Sequence, residues 1–391
     1  MLTLFERMER PDDDTSAGYS EPIWKYLNRA GRPGFDYVRA QPESWFSYFD
    51  AEEKTRTALA KRFRSREDDY HLSAFFELYL HAIFRNLGYR LTIEPEFNNR
   101  KPDFLIELPN GQTIVVEAVA NYPERLYGTG RLEVNSVYDY LNRNVKSSDY
   151  SLSVKVHRSF SSRLSRRQLA SDVQQWLNCL DYDAVCDLAS QESQDRKSHL
   201  LPKYEWPQPG GPIQIEALPK PPTSRYETNR IVVMMPGEVE TICTSDEIRN
   251  TINAKAKRYG KLEIPYVLAV NASEASLDEV DIANVLFGDE QLTLYDDGTA
   301  RRTRKPNGIW DGRNGIQNTT LSGVLFFKRV HATSIHRVEP VLWLNPDAKN
   351  SLDYALPFAA VKVNQTGHFV SSPASKRIQE VLGIDPEKMP F

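Results

Sequence analysis

The chain has 391 residues, of which 40% are hydrophobic and 26% are charged, as is typical of a water-soluble globular protein. Its 49 basic and 53 acidic side chains give a formal net charge of -4, which excludes a histone-like polycation but is compatible with a local basic groove. No apolar run approaches the roughly 20 residues that a membrane-spanning helix requires. Charged residues also stand near the N-terminus, where a signal peptide would need an apolar core. We therefore expect a cytoplasmic protein with no membrane partner.

The predicted elements divide the chain into three parts. Residues 1–70 begin with an acidic stretch and continue as a helical segment rich in aromatic residues. Residues 71–350 alternate helices with short apolar strands, a pattern that predicts an elaborated α/β domain with a mostly covered sheet. Within this domain, residues 191–222 are rich in Pro, Ser and Gly and predict a long surface loop. Residues 351–391 form a C-terminal tail.

The cysteines point to no covalent or metal framework. Cys179, Cys186 and Cys243 are odd in number and contain no C-x-x-C pair. A disulfide framework and a structural zinc site are therefore not expected, and single buried thiols are the default interpretation.

A helix is predicted from Leu72 to Leu87. Its apolar residues recur at 3.6-residue spacing, and Gly88 supplies a C-terminal stop. Glu77 lies on the flank of the apolar stripe, where it is either a solvated surface residue or a carboxylate that reaches the rim of the core. His81 follows one turn later on the same flank, where a surface histidine is expected.

A β-hairpin follows this helix. Its three-residue loop has Pro109 first and Gly111 last, as a type I turn followed by a left-handed residue requires. Counting back along both strands places Asp103 opposite Glu117. Residues directly opposite share a face, with Cβ atoms about 5 Å apart, so both carboxylates project together. A register shift of one residue would separate them.

Two facing carboxylates repel each other unless a cation or a shared proton lies between them. Hard oxygen ligands at this spacing suit Mg²⁺ or Mn²⁺, bound together with water and a substrate phosphate. The alternative is that Asp103 and Glu117 are polar residues near an exposed sheet edge. Glu117 has apolar neighbours on both sides in the sequence, which favours a functional reason for its charge.

A second informative helix is predicted from Ser245 to Tyr259. Thr244 and Glu247 form a T-x-x-E capping box at its start. On the helical wheel, Lys255 falls in the middle of the apolar stripe. A lysine aimed at the core needs a carboxylate partner or a catalytic purpose, whereas the alternative is a side chain that snorkels to the helix edge.

Taken together, Glu77 on the first helix, Pro102-Asp103 and Glu117 at the end of the next strand resemble the PD-(D/E)xK nuclease superfamily. The resemblance covers about residues 72 to 120, and a weaker similarity continues through Lys255 into the strand that follows. It implies a restriction endonuclease-like mixed sheet flanked by helices, and Mg²⁺- or Mn²⁺-dependent hydrolysis of phosphodiester bonds. In this pattern Glu77, Asp103 and Glu117 would hold the metal.

The chain departs from the superfamily pattern at one position. Lysine is expected two residues after the strand glutamate, and this chain has Val119 there. Either the site is inactive or the lysine has moved to another element, as in the bacterial proteins of this fold that the wider pattern resembles. Lys255 is the candidate for the displaced lysine, which would help to deprotonate the attacking water and neutralise charge on the scissile phosphate.

The resemblance also implies a substrate and a setting. DNA is favoured over RNA, restriction or antiviral defence is the suggested process, and a homodimer or a partner protein of a defence system is the suggested assembly. Two alternatives stay open: a non-catalytic nucleic-acid-binding or assembly subunit that keeps the fold, and metal-dependent phosphoryl chemistry on a nucleotide rather than a polymer.

Clusters of arginine are candidates for binding the phosphates of nucleic acid. The alternative for each cluster is a solvated surface, and the second cluster stands between two turn signals, as an exposed loop would. The candidate residues are Arg163, Arg166 and Arg167 in the first cluster and Arg301, Arg302 and Arg304 in the second.

Overall fold

The computed structural model of the chain describes residues 2–11, 16–97, 99–121, 129–156, 165–195, 200–207, 212–226, 230–233, 244–272, 277–294 and 299–390. The chain forms two compact units. The first contains Met1–Ser16, Pro22–Pro123 and Cys243–Phe391, and the second contains Ala17–Glu21 and Glu124–Ile242. This division differs from the three predicted segments, because the N-terminal helices and the C-terminal residues pack with the main sheet while the second unit has an apolar core of its own.

Helices and strands alternate along much of the chain. The helices in the described residues are α1 (Ile23–Arg29), α2 (Phe35–Ser47), α3 (Glu53–Phe63), α4 (Asp68–Asn86), α5 (Thr129–Asn144), α6 (Arg166–Asn178), α7 (Tyr182–Asp195), α8 (Thr244–Ala256), α9 (Glu279–Phe287) and α10 (Ile378–Leu382), with 3-10 turns at Ile335–Arg337 and Pro386–Lys388. None of these helices has both the length and the apolar character needed to cross a membrane.

The strands in the same residues are β1 (Arg90–Ile93), β2 (Phe104–Glu107), β3 (Thr113–Asn121), β4 (Tyr150–Val156), β5 (Lys203–Trp206), β6 (Ile213–Pro219), β7 (Val232–Val233), β8 (Tyr266–Ala272), β9 (Glu290–Leu294), β10 (Ala300–Arg304), β11 (Asp311–Gly312), β12 (Gly315–Ile316), β13 (Gly323–Lys328), β14 (Val341–Leu344), β15 (Ala359–Val363) and β16 (Phe369–Ser372).

Eight of these strands form the main sheet of the first unit, in the order β1-β2-β3-β8-β13-β14-β15-β16. β1, β2 and β3 are antiparallel neighbours, whereas β3, β8 and β13 run parallel to one another. The predicted mixed α/β sheet flanked by helices is therefore confirmed. Every residue of β8 is buried, as expected for a central parallel strand that is covered on both faces.

Successive residues of β3 enter two different apolar cores. Ile114 and Val116 pack in the core that contains the residues of α4, and Val115 and Val119 pack in the core that contains those of α8 and α9. This two-residue alternation assigns α4 to one face of the main sheet and α8 to the other.

α4 is buried on nearly its whole circumference, because α1, α2 and α3 cover the side that does not face β3. The surface position expected for His81 was therefore wrong, since His81 is 2% exposed, and the solvated alternative for Glu77 is excluded, since Glu77 is 4% exposed. Gly88 has a φ of 81°, the left-handed conformation predicted for the C-terminal stop.

The second unit has a four-stranded sheet in the order β5-β6-β4-β7, packed with α5, α6 and α7. The long surface loop predicted for residues 191–222 is wrong in part, because β5 and β6 lie within it. Ile213, Ile215 and Ala217 of β6 are buried at every second position, a strand pattern that the surrounding Pro and Gly residues hid. Cys179 and Cys186 are free thiols, but Cys179 is exposed and Cys186 is half-buried, so the expected buried thiols are wrong for these two; Cys243 lies outside the described residues.

We expect His81 to couple the stability of the first unit to pH. Its ring centroid lies 4.8 Å from that of Phe49, and its Nδ1 atom has no hydrogen-bond partner within the described part of the chain. Burial, with the nearby charge of Arg85, lowers the pKa of His81 to about 4. Because a histidine in the unfolded chain has a pKa of about 6.5, the unfolded state takes up the proton first as the pH falls. The free energy of unfolding therefore falls as the pH drops from about 6.5 to about 4. His81 accounts for about 2 kcal/mol of this fall between pH 7 and pH 5.

We expect His81→Phe to reduce the difference in free energy of unfolding between pH 7 and pH 5 by about 2 kcal/mol. The measurement is urea denaturation at both pH values. His368→Phe is the matched control, because His368 is exposed and should leave the pH dependence unchanged. An identical pH dependence in wild type and His81→Phe would contradict this assignment.

Candidate active site

The hairpin of β2 and β3 closes as the sequence predicts. The backbone N–H of Leu108 donates to the carbonyl oxygen of Gln112 at 2.8 Å, and that of Gly111 donates to the carbonyl of Leu108 at 2.9 Å. Gly111 takes the left-handed φ of 83° that this loop requires.

A row of three acidic residues crosses the main sheet at the far end of this hairpin. Phe104 pairs with Val116 at the end of the ladder, so the next residues in register are Asp103 and Glu117. The predicted register is therefore confirmed. β1 continues the same row on the other side of β2, where the N–H of Glu94 donates to the carbonyl of Asp103 at 3.0 Å. Glu94 has a φ of 45°, which is uncommon for a residue other than glycine.

Asp103 is partly buried and accepts a hydrogen bond through Oδ2 from the backbone N–H of Ala118 at 2.7 Å. Burial raises the pKa of Asp103 well above its usual value, and the negative charges of Glu117 and Glu77 raise it further. The carboxyl group of Asp103 therefore belongs to a concentrated cluster of negative charge.

Glu117 is fully buried and its carboxylate is surrounded by donors. Its side chain is 1% exposed, and its Oε1 atom accepts from the Nζ of Lys255 at 2.8 Å. Oε1 also accepts from the guanidinium of Arg258, and Oε2 accepts from the hydroxyl of Tyr259. Three donors from one segment of chain thus compensate the burial of this charge.

α8 and the turn after it supply all three donors. The helix ends at Ala256, three residues before the predicted end, and the N–H of Arg258 donates to the carbonyl of Lys255 at 3.0 Å. Lys255 lies at the edge of the buried face with 31% of its side chain exposed, so it both contacts Glu117 and reaches solvent. Burial raises the pKa of Tyr259, and its bond to Glu117 raises it further, which keeps the phenol a hydrogen-bond donor.

Glu77 is held by a cation from the N-terminal helices. Its Oε2 atom accepts from the Nη2 of Arg62 on α3 at 2.6 Å. Burial raises the pKa of Glu77, Arg62 opposes this rise, and the charges of Glu94 and Glu117 add to it. Glu94 in turn accepts a hydrogen bond from the hydroxyl of Thr55 at 3.1 Å. Glu77 is therefore electrostatically coupled to the acidic row, although α4 packs on the opposite face of the main sheet from α8.

Val119 occupies the strand position where the superfamily pattern has lysine. It is 5% exposed, lies opposite Val270 and packs in the same apolar core as α8. The strand position is thus used for packing, and an amine reaches Glu117 from Lys255 instead.

The carboxylate oxygens of the site meet some of the requirements for binding a divalent cation. Among the residues described, no group of three His, Cys, Asp or Glu side chains is arranged to hold a metal ion. Mg²⁺ is usually bound through one or two carboxylates, with water and substrate phosphate completing its shell. The oxygens of Asp103 beside Glu117 fit that requirement, and the raised pKa of Asp103 marks a position where positive charge would be stabilised.

Four residues of the site were not assigned to it by the sequence: Arg62, Glu94, Arg258 and Tyr259. From the sequence, Tyr259 was expected only as the last residue of the predicted helix, and Arg62 was not connected with Glu77. Arg258 stands three residues after Lys255. Residues at this spacing on a helix are neighbours, so the sequence could have placed Arg258 beside Lys255. Glu94 could have been assigned to the site only if the pairing of β1 with β2 were known, and the sequence does not specify that pairing.

The candidate nucleic-acid-binding arginines differ in their surroundings. Arg166 and Arg167 are exposed at the start of α6 in the second unit, and Arg163 lies outside the described residues. The expected exposed loop around Arg301 is wrong, because these residues form β10, which pairs with β9.

Within β10, Arg301 and Arg302 are exposed, and Arg302 lies 3.6 Å from Glu290 in an exposed ion pair. Arg304 is turned inward, where it donates to the carbonyl of Gly288 at 2.7 Å and to Asn284 at 3.1 Å. Arg304 is therefore engaged with the protein's own backbone.

No family model, curated protein or solved structure matches this chain.

Proposed function

We propose that this chain is a metal-dependent nuclease that hydrolyses phosphodiester bonds, of DNA in preference to RNA, with Glu77, Asp103, Glu117 and Lys255 at its active site. One observation carries the proposal. The Nζ atom of Lys255 lies 2.8 Å from the carboxylate of Glu117. Asp103, whose pKa is strongly raised, is the residue opposite Glu117 in the hairpin register. Lysine beside a carboxylate pair is the constellation that the resemblance to the PD-(D/E)xK superfamily implies.

A restriction endonuclease-like fold is part of the proposal. Its support is the order of the elements that carry these residues: α4, then the antiparallel β1, β2 and β3, then α8, then β8 parallel to β3. The resemblance alone supports a cytoplasmic role in restriction or antiviral defence, as a homodimer or with a partner protein of a defence system.

In the proposed reaction the oxygen of a water molecule attacks phosphorus and the bond from phosphorus to one sugar oxygen breaks. The sugar oxygen is released as an alkoxide, and the proton lost by the water passes through solvent to this alkoxide. The products are a phosphomonoester and a hydroxyl group. Asp103 and Glu117 would hold Mg²⁺ or Mn²⁺, with Glu77 as the third ligand that the resemblance implies, and the ion would act as a Lewis acid that lowers the pKa of the water. Lys255, poised between Glu117 and solvent, would stabilise the negative charge that develops on the phosphate.

The test is cleavage of plasmid, linear duplex and single-stranded DNA, and of RNA, in Mg²⁺ or Mn²⁺. We expect wild type to cleave DNA and Asp103→Asn to lose about 100-fold or more of that rate, because the variant cannot supply the anionic oxygen. Asp347→Asn is the matched control, since Asp347 is exposed on a loop of the same unit. Cleavage that persists in Asp103→Asn would refute the residue assignment.

A second candidate function is a nucleic-acid-binding or assembly subunit without catalysis. The specific observation that favours it is the complete set of donors around Glu117, which neutralises this carboxylate without a metal. Absence of divalent-dependent cleavage by a folded wild-type protein that binds nucleic acid would favour this candidate over the nuclease.

A further inference from the structure

A cavity of about 310 Å³ opens where β13 ends and the chain turns into the 3-10 segment Ile335–Arg337. β3, β8 and β13 run parallel, so the cavity lies at the carboxyl end of a parallel strand, where ligands commonly bind in α/β sheets. Six polar residues line it: Lys328, Arg329, His331, Thr333, Ser334 and Arg337.

The charge of this lining is one-sided. Lys328, Arg329 and Arg337 bring three cationic side chains, and no acidic residue occurs among the described lining residues. Lys328 and Arg329 are exposed. Cationic side chains gathered around a concave surface favour an anionic ligand, and arginine in particular matches the oxygens of phosphate.

Neutral hydrogen-bonding groups complete the lining. Burial, with the nearby charge of Arg329, lowers the pKa of His331 to about 4, so its ring is neutral at pH 7. The hydroxyl of Thr333 lies 3.1 Å from the Nδ1 of His331 and orients that ring. A neutral ring beside cationic groups can donate a hydrogen bond to an anion without adding charge.

The loop that carries these residues is held from beneath by a buried polar side chain. Asn271 of β8 is 0% exposed, and its amide donates to the carbonyl of Val330 at 3.0 Å while its oxygen accepts from the N–H of Val330 at 2.9 Å. The N–H of Arg329 donates to the carbonyl of Ala272 at 2.8 Å. These bonds fix the start of the loop against the sheet.

Arg329 has a φ of 53°, a left-handed conformation that residues other than glycine rarely adopt. The hydroxyl of Ser334 donates to the carbonyl of Arg329 and so supports this turn. An uncommon backbone conformation that is over-determined by surrounding hydrogen bonds is typical of ligand-binding positions.

We propose that this cavity is a binding site for a phosphate group carried by a molecule of about nucleotide size. Its volume is at the small end of ligand pockets, which suits one phosphorylated nucleotide rather than a length of polymer. None of its residues belongs to the row of Asp103 and Glu117, so the proposal does not depend on the proposed nuclease activity.

The experiment measures binding to the full chain by calorimetry in EDTA, which prevents divalent-dependent cleavage. The probes are inorganic phosphate, a nucleoside 5′-monophosphate and the corresponding nucleoside. We expect wild type to bind the monophosphate and Lys328→Gln/Arg329→Gln to bind it about tenfold or more weakly, because two charged contacts to phosphate are lost. Lys362→Gln/Arg313→Gln is the matched control, which removes the same charge from exposed positions of the same unit and should bind within about twofold of wild type.

Two further probes identify the source of the phosphate. A short single-stranded oligonucleotide is compared with and without a 5′-phosphate: tighter binding of the phosphorylated strand, lost in the double variant, supports a site for strand ends. Equal affinity for both strands with tight binding of the monophosphate supports a site for free nucleotides. Equal binding of all phosphate probes by wild type and the double variant, or no binding by wild type, overturns the proposal. The double variant leaves the row of Asp103 and Glu117 intact and the measurement is made in EDTA, which separates this outcome from the fate of the nuclease proposal.

Discussion

Lys255→Ala is expected to reduce divalent-dependent cleavage by about 100-fold or more while leaving nucleic-acid binding within about twofold. The Nζ of Lys255 lies 2.8 Å from Glu117 yet about a third of the side chain is exposed, so the same amine can reach a phosphate in solvent. The Lys255→Ala substitution removes a charge that acts mainly on the transition state. We therefore expect a lower kcat and a nearly unchanged KM. Arg258 and Tyr259 still compensate Glu117 in the variant, and the fold should be retained.

Lys257→Ala is the matched control for this experiment. Lys257 stands two residues further along and is exposed, so its loss removes the same side chain and the same charge from the surface. Cleavage rates and binding are compared for both variants alongside their thermal unfolding midpoints. A Lys255→Ala variant that cleaves as fast as wild type would remove this residue from the mechanism, and equal losses in both variants would indicate a general charge effect.

Arg62→Met is expected to lower the free energy of unfolding by about 3 kcal/mol at pH 7, because it leaves the carboxyl of Glu77 buried without its cation. The side chain of Glu77 is 6% exposed, and burial already raises the pKa of this group. Loss of Arg62 raises that pKa further, so the folded state takes up a proton as the pH falls and the destabilisation shrinks toward pH 5. Denaturant unfolding at pH 7 and pH 5 measures both effects.

Two further variants isolate the Arg62–Glu77 pair. Arg62→Met/Glu77→Gln should recover most of the lost stability, because the neutral amide no longer requires a cation. Lys61→Met is the control, since this neighbour on α3 is exposed and should change stability by less than about 0.5 kcal/mol. A loss in Arg62→Met that the double variant does not recover would mean that packing of the arginine stem, rather than charge, is the cause.

The parts of the site that the sequence predicted correctly were those set by local rules. Pro109 and Gly111 specify the loop, and the loop specifies the register that brings Asp103 opposite Glu117. The contact between Lys255 and Glu117 spans 138 residues, yet one helical-wheel position was enough to raise a carboxylate partner as one of two alternatives, because a lysine in an apolar stripe needs a partner.

The incorrect parts depended on packing between distant segments. Glu77 is buried because α1, α2 and α3 pack against α4. The apolar spacing within α4 does not predict that other helices pack on this side. The second unit divides the first in the sequence, which no composition shift marked. Glu94 joins the acidic row through the pairing of β1 with β2, and this pairing is a property of the folded chain rather than of the residue type.

The separation of β3 from β8 along the chain has a consequence for biosynthesis. β3 ends at Asn121, and the strand that covers its open side begins only at Tyr266. A ribosome that adds about 5–20 residues per second needs about 7 to 30 s to synthesise the roughly 145 residues between them. During that time β3 presents unpaired N–H and C=O groups, which are a template for pairing with another nascent chain. Truncated chains that stop within the second unit would keep this open edge permanently, so we expect them to aggregate where the full chain remains monodisperse.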